Sequence, residues 1–155
     1  MPLFDDMPSE LQGRLIEDAI QIGNVLKLFC DFTRPPKDKR LILVSVDPLI
    51  AVFLINSTIS TFIANRPSLN ASQIHISHND YSFISHDSVV SCHELLSAFT
   101  GEEVTRQLKM DYSRVLGKID VELRDKIVHV VSTSMTLSSA EKNLVVENLN
   151  GLNFN

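Results

Sequence analysis

The fold of this protein is decided near its N-terminus by residues 24–55, which read NVLKLFCDFTRPPKDKRLILVSVDPLIAVFLI. Three segments of this stretch, 24–32, 41–46 and 51–55, are rich in the apolar and β-branched residues that favour strands. A basic, proline-containing break separates the first two segments, and Asp47-Pro48 forms a turn between the last two. The stretch therefore predicts three consecutive strands that pair as an antiparallel meander.

The residues before the meander predict one amphipathic helix. Apolar side chains of residues 9–22 fall on one helical face, and Gly23 follows as a stop signal. Ser9 and Gln12 have the spacing of a capping box, in which each side chain satisfies a free backbone N–H near the helix start.

The residues after the meander predict two further strands and then helices. Alternating polar and apolar side chains indicate a strand at 73–77, and a second apolar run indicates one at 88–92. Residues 101–119 predict only a short element and a turn at Gly117. Two helices follow, one capped by Asp120 and one that begins with a capping box formed by Ser138 and Glu141.

This order of elements defines the fold class and the domain. Strands in the first part of the chain and helices gathered at its C-terminus predict an α+β domain built on an antiparallel sheet. Short strands at this spacing commonly curl into a small β-barrel. Residues 1–155 contain no linker rich in Gly or Ser, so we expect one domain with helices at both ends.

Composition excludes several classes of function. The 155 residues are 44% hydrophobic and 21% charged, as in ordinary globular domains, and the net charge of -5 argues against broad binding of nucleic acid by charge alone. No apolar run is long enough to cross a membrane, and the acidic N-terminal segment lacks the features of a secretory signal. We therefore expect a soluble, cytoplasmic protein that does not associate with membranes.

Most candidate sites for catalysis or metal binding are weak. Five glycines supply no phosphate-binding loop and no nucleophile elbow. His75 and His78, three residues apart on and after a strand, project to opposite faces, so we expect no metal site. Glu102 and Glu103 are interpreted as a solvated turn.

The basic break in the meander is the strongest candidate for a binding site. Arg34, Lys37, Lys39 and Arg40 lie there together, and Pro35-Pro36 stiffens the segment, which lowers the entropic cost of ordering it against a ligand. Taken alone, the segment is compatible with a phosphate-binding element and equally with the charged, solvated tip of a hairpin.

The order of three motifs resembles a known family. The motifs are IGNVLKLFCDFTRPPKDKRLILVS, HDSVVSCHEL and SRVLGKIDVELRDKIVHVV, which lie in this order between residues 21 and 132. They are similar to the first strand pair, the late strand and the start of the C-terminal helix of PemK/MazF-like toxins. The similarity is one of pattern more than of identity. Residues 133–155 form a helical extension that the short members of the family lack.

The resemblance implies a fold, an activity and partners. The fold would be an SH3-like β-barrel with a C-terminal helix, usually present as a homodimer. The activity would be that of a toxin that cleaves single-stranded RNA as an endoribonuclease, without a metal ion or other cofactor, by attack of a ribose 2′-hydroxyl on the adjacent phosphate. A small antitoxin protein would neutralise it.

The resemblance also implies catalytic residues. Arg40 falls where the family places the arginine that stabilises the charged phosphorane. A guanidinium suits this role because it binds two phosphate oxygens at once. Ser57 or Thr58 falls beside the cleaved phosphate, and His93 falls where some members carry an Asp that acts as acid or base. His78 and His86 are weaker alternatives to His93 for proton transfer.

Three further cations complete the expected site, and three positions differ from the family pattern. Arg34, Lys37 and Lys39 are the expected RNA-binding residues. The differences are Leu41 in place of the usual Pro, Ser91 where some members carry a second catalytic Arg, and His93 in place of Asp. The missing arginine and the added terminal helices favour an alternative, a non-catalytic barrel of the same family that acts as a protein-binding or regulatory module.

Overall fold

The computed structural model describes residues 2–154, so Met1 and Asn155 at the ends of the expected domain lie outside the described residues. Within this range the chain forms six strands and seven α-helices, and a short 3-10 helix at Tyr112–Arg114. The strands are β1 (Asn24–Cys30), β2 (Lys37–Ser45), β3 (Ala51–Asn56), β4 (Gln73–Ile76), β5 (Ser88–Leu96) and β6 (Val115–Lys118). The helices are α1 (Pro2–Asp5), α2 (Ser9–Ala19), α3 (Thr61–Ala64), α4 (Pro67–Asn70), α5 (Gly101–Met110), α6 (Val121–Ser132) and α7 (Ser139–Asn150).

All six strands belong to one antiparallel sheet with the order β4-β5-β3-β2-β1-β6. The predicted meander is confirmed, since β1 pairs with β2 and β2 pairs with β3. The expected closed SH3-like barrel is not confirmed. Among residues 2–154 the two edge strands, β4 and β6, pair only with β5 and β1, and the sheet is an open, curled half-barrel.

Helices cover both faces of this sheet and give the protein two apolar clusters. One face, here the α6–α7 face, packs against buried side chains of the two C-terminal helices, among them Ile127 and Leu149. The other face, the α2–α5 face, packs against Ile16 of α2 and Leu108 of α5. Because both faces are covered, β2 is an almost continuous apolar run and does not alternate with polar residues.

The segment between β4 and β5, residues 77–87, crosses from one edge of the sheet toward the other. Tyr81 donates a hydrogen bond from its hydroxyl to Asp120 Oδ1 at 3.0 Å, just before α6. A Cβ at Gly117 of β6 would lie 3.7 Å from the Phe83 ring, so the segment also packs against the opposite edge strand. These contacts partly close the α6–α7 face.

Two of the three predicted helix caps are present in the structure. The capping box of Ser138 and Glu141 is present at the start of α7, and Asp120 accepts the backbone N–H of Leu123 at the start of α6. The capping box expected from Ser9 and Gln12 was wrong. α2 begins after Pro8 without a side-chain cap, and Gln12 instead donates its amide to the Phe4 carbonyl of α1 at 2.8 Å.

Residues 101–119 contain more helix and strand than the sequence predicted. Glu102 and Glu103 do not lie in a turn but form the first turn of α5, a ten-residue helix capped by Thr100. Acidic residues near a helix N-terminus interact favourably with the helix dipole. Gly117 lies within strand β6 and not in a turn.

Candidate functional site

The antiparallel register gathers the ends of several elements at one end of the sheet, which we call the loop end. β1 ends there at Cys30 opposite Lys37 of β2, and β3 ends there at Asn56 opposite Val89 of β5. β4 also ends there, with Ile76 opposite Ser88. The loop end therefore consists of three connecting segments, 31–36, 57–60 and 77–87, and the strand residues next to them.

This arrangement brings most of the predicted site residues together. Lys37, Lys39 and Arg40 lie in the first residues of β2 and not in the preceding loop, whereas Arg34 lies in that loop and is exposed. Ser57 and Thr58 directly follow β3. Residues as far apart in sequence as Arg34 and Thr58 are thus brought to the same end of the sheet.

Arg40 lies on the α6–α7 face beside a second cation. It is paired across the strands with Ile55, a member of the cluster on that face, and on its other side with Lys27 of β1. The ion pairs formed within residues 2–154 include neither Arg40 nor Lys27. Arg40 Nε is buried and has no hydrogen-bond partner among these residues. Two adjacent cations therefore form no ion pair with the described protein.

An aromatic side chain extends this cationic surface. Phe29 follows Lys27 on the same face of β1 and is 47% exposed. Next to it, Arg114 donates to the Lys27 carbonyl at 2.9 Å and to Asp38 Oδ1 at 3.1 Å, so the carboxylate of Asp38 is already paired. We name Lys27, Phe29 and Arg40 the basic patch. Proteins that bind single-stranded nucleic acids combine cations with exposed aromatic rings in this way. The cations bind the phosphates, and the bases stack on the ring.

Lys39 points to the opposite face, where it begins a chain of hydrogen bonds across four strands. Its ammonium group contacts Asn56 Oδ1. The amide and hydroxyl groups that follow each donate to the next: Asn56 Nδ2 to Ser91 Oγ at 2.8 Å, Ser91 Oγ to Gln73 Oε1 at 2.8 Å, and Gln73 Nε2 to His93 Nδ1 at 3.0 Å. Burial, together with the nearby charge of Lys37, lowers the pKa of Lys39. No sequence pattern points to Asn56, Gln73 or the role of Ser91.

His93 is placed by this chain on the α2–α5 face, the face opposite Arg40. Its Nδ1 accepts from the Gln73 amide, and its carbonyl accepts from the Thr136 hydroxyl at 2.8 Å. Burial is the main cause that lowers the pKa of His93, so the neutral ring is favoured. The structure thus separates His93 and Arg40, the two side chains expected to act on one phosphate, and their catalytic roles stay predictions.

We expect the stability of the protein to fall as the pH is lowered through the range in which His93 titrates. The folded-state pKa of His93 lies below its unfolded value of about 6.5, so the unfolded chain binds more protons at intermediate pH. The contribution is present above pH 6.5 and is lost as the pH falls toward the folded pKa. Urea unfolding at several pH values should show a shallower decline below pH 6.5 in His93→Gln than in the wild type, and equal slopes would contradict this assignment.

The central residue of the chain, Gln73, is expected to contribute strongly to stability. Gln73→Ala removes the acceptor of Ser91 and the donor to His93, which leaves buried polar groups without partners at a cost of about 1–3 kcal/mol. Urea unfolding measures the change. Gln21→Ala is the matched control, because the Gln21 amide bonds only to the Glu17 carbonyl on the exposed surface, and we expect less than about 0.5 kcal/mol there.

A cavity of about 600 Å³ opens at the loop end next to the predicted hydroxyl residues. Ser57 and Thr58 line it together with residues of β4, β5 and the 77–87 segment, including His75, Asp80, Asp87 and Ser88. Its volume is in the range of small-ligand sites. Carboxylates and hydroxyls at its wall suit a ligand that donates hydrogen bonds, such as a ribose or a nucleobase, better than they suit a phosphate.

Comparisons with known proteins add no assignment. No protein-family model matches this chain, and no curated protein matches it. Within residues 2–154 there is also no group of three or more metal-ligating side chains, and no helix is long and apolar enough to cross a membrane.

Proposed function

We propose that the protein is a PemK/MazF-like toxin that cleaves single-stranded RNA as a metal-independent endoribonuclease. The observation that carries the proposal is Arg40, which is paired across the strands with Lys27 and whose buried Nε has no hydrogen-bond partner among the described residues. This cationic pair lies at the same end of the sheet as the cavity lined by Ser57 and Thr58. A phosphate chain bound along the loop end would meet the cations, and a sugar or base would enter the cavity.

The chemistry assigns a task to each group. In the reaction the ribose 2′-oxygen forms a bond to phosphorus while the bond from phosphorus to the 5′-oxygen breaks. Arg40 would meet the additional negative charge of the transition state with two parallel N–H donors, as guanidinium groups do with phosphate oxygens. Arg34, Lys37 and Lys39 would bind neighbouring phosphates. Since the whole chain carries a net charge of -5, we expect RNA to be attracted to this end alone.

The proposed reaction can be tested with purified protein and single-stranded RNA in EDTA. We expect cleavage to continue without divalent metal and to yield a 2′,3′-cyclic phosphate and a 5′-hydroxyl, the two ends that 2′-hydroxyl attack produces. An RNA whose cleavage-site ribose lacks the 2′-hydroxyl should resist. Intact RNA across a wide range of sequences, or 5′-phosphate ends, would contradict the proposal.

The expected partners follow from the same resemblance and remain part of the proposal. A second copy of this chain would form the homodimer, and a small antitoxin would neutralise the toxin. Co-expression with the product of an adjacent small acidic reading frame should restore growth if the toxin reading is correct.

One observation favours the second candidate, a non-catalytic protein-binding or regulatory module. His93, the predicted acid or base, lies on the face opposite Arg40 with its Nδ1 already bonded to Gln73. If this protein inhibits growth or binds a partner while leaving RNA intact, the module is the better description. The reaction in EDTA thus separates the two candidates.

A further inference from the structure

His78 and Asp87 lie at opposite ends of the 77–87 segment and form a close pair that has no role in the proposed reaction described above. His78 Nδ1 lies 2.7 Å from Asp87 Oδ1, and the same oxygen accepts the backbone N–H of His78 at 3.0 Å. One carboxylate oxygen therefore fixes the ring and the backbone of His78 together. The His78 side chain remains 47% exposed, so a ligand can reach the ring.

The hydrogen bonds determine which nitrogen of His78 is free. Hydrogen bonds that Asp87 accepts, first from the His78 ring and then from the His78 backbone N–H, lower the pKa of Asp87, so its carboxylate is ionised near neutral pH. An ionised carboxylate only accepts hydrogen bonds, and Nδ1 of His78 must therefore carry the proton. In the neutral ring, Nε2 then has a free lone pair. An oriented imidazole of this kind is the usual form of a general base.

The pair adjoins the cavity of the candidate site. Asp87 is itself a lining residue, as is Ser77, which directly precedes His78. The hydroxyl residues Ser57 and Thr58 lie in the same wall. Of the residues that line the cavity, His75, Asp80 and Asp87 are titratable.

We propose that His78 is the general base of the loop-end site and that Asp87 is its positioning residue. This inference rests on the proposed RNA cleavage. His78 Nε2 takes the proton of the ribose 2′-hydroxyl as the 2′-oxygen bonds to phosphorus. The leaving 5′-oxygen takes a proton from a water molecule, which becomes hydroxide. The imidazolium then gives its proton to this hydroxide, so that the water molecule and the neutral ring are restored. No oxidant, metal or other reactant enters the step.

The experiment compares His78→Ala, Asp87→Asn and the control His129→Ala by kcat and KM for the cleavage of one RNA. His129 is an exposed histidine of α6 that does not line the cavity. We expect His78→Ala to lower the rate about 100-fold or more, the usual contribution of a general base, while RNA affinity and Tm stay unchanged. Added imidazole should restore part of the rate to this variant.

Asp87→Asn should retain more activity than His78→Ala, and it should lower kcat while KM stays close to the wild-type value. The reason is that a neutral amide does not stabilise the imidazolium as a carboxylate does. His129→Ala should behave as the wild type.

Each other result overturns the inference. If the wild-type protein cleaves RNA and His78→Ala cleaves it equally fast, the general base lies elsewhere while the proposed function stands. If His78→Ala loses RNA affinity or Tm together with activity, His78 has a binding or structural role. If the wild-type protein cleaves no RNA, the proposed function fails and the inference fails with it.

Discussion

Arg40→Ala should reduce RNA cleavage by about 100- to 1000-fold, the cost of removing one preorganised group that stabilises transition-state charge. The substitution removes one of the two positive charges of the basic patch and leaves Lys27 as the other. The fold should not suffer, because Arg40 Nε is buried without a partner and its removal breaks no hydrogen bond of that atom. Cleavage rates under single-turnover conditions and Tm by calorimetry measure the two effects, and growth inhibition on expression should disappear.

Two control variants make this test specific. Arg40→Lys keeps the charge but not the two parallel donors, so it should retain binding while cleavage stays well below the wild-type rate. Arg34→Ala removes a cation from the exposed loop that precedes β2, and only a small loss of RNA affinity is expected. Equal losses in Arg34→Ala and Arg40→Ala would mean that the loop end acts by overall charge and that Arg40 has no special role.

Phe53→Ala should have the largest effect on stability, about 3–5 kcal/mol, as for other fully buried phenylalanines. Phe53 is 0% exposed in β3, a central strand, and faces the cluster formed with α6 and α7. Across the strands it pairs with Ile42, another fully buried residue of that cluster. The loss is a large fraction of the 5–15 kcal/mol by which natural domains are stable. Urea unfolding at neutral pH measures it.

The matched control for this substitution is Phe62→Ala. Phe62 is 59% exposed, and its main contact is the Arg66 guanidinium 3.6 Å from the ring centroid. An exposed cation–π contact contributes about 0.5–1 kcal/mol, so the control should lose less than about 1 kcal/mol. If the two variants unfold at the same urea concentration, the α6–α7 face is not the principal core.

Elements with a strong local signal were predicted well from the sequence. The meander at 24–55, the cap of Asp120 and the capping box of Ser138 all depend on contacts between residues near one another in the chain. The errors have a common physical cause. Gln12 has a capping-box spacing after Ser9, but its amide bonds to the Phe4 carbonyl, a contact that the docking of α1 provides. The interaction with the neighbouring helix prevailed over the local pattern.

The underestimate of α5 has a similar origin. Residues 101–110 contain Val104 and Leu108, spaced four apart, but few other apolar side chains, so a helix there was not evident. Both residues are fully buried against the sheet, and Gln107 bonds to the backbone of Phe29 in both directions. Tertiary contacts thus stabilise a helix whose own residues signal it weakly.

The sequence by itself determined the residue types of the site and the strands that carry them, because strand formation and basic character are local properties. It placed Arg40 at the start of a strand and Ser57 and Thr58 at the end of the next. Only the tertiary structure decided which face of the sheet each side chain occupies. Adjacent residues on a strand point to opposite faces, so the side chains of Arg40 and Lys39 lie on different faces of the sheet. Strand register, together with the hydrogen-bond chain that begins at Lys39, places His93 on the face of Lys39. The pairing of His78 with Asp87 likewise requires the 77–87 segment to return to the loop end, which no local pattern specifies.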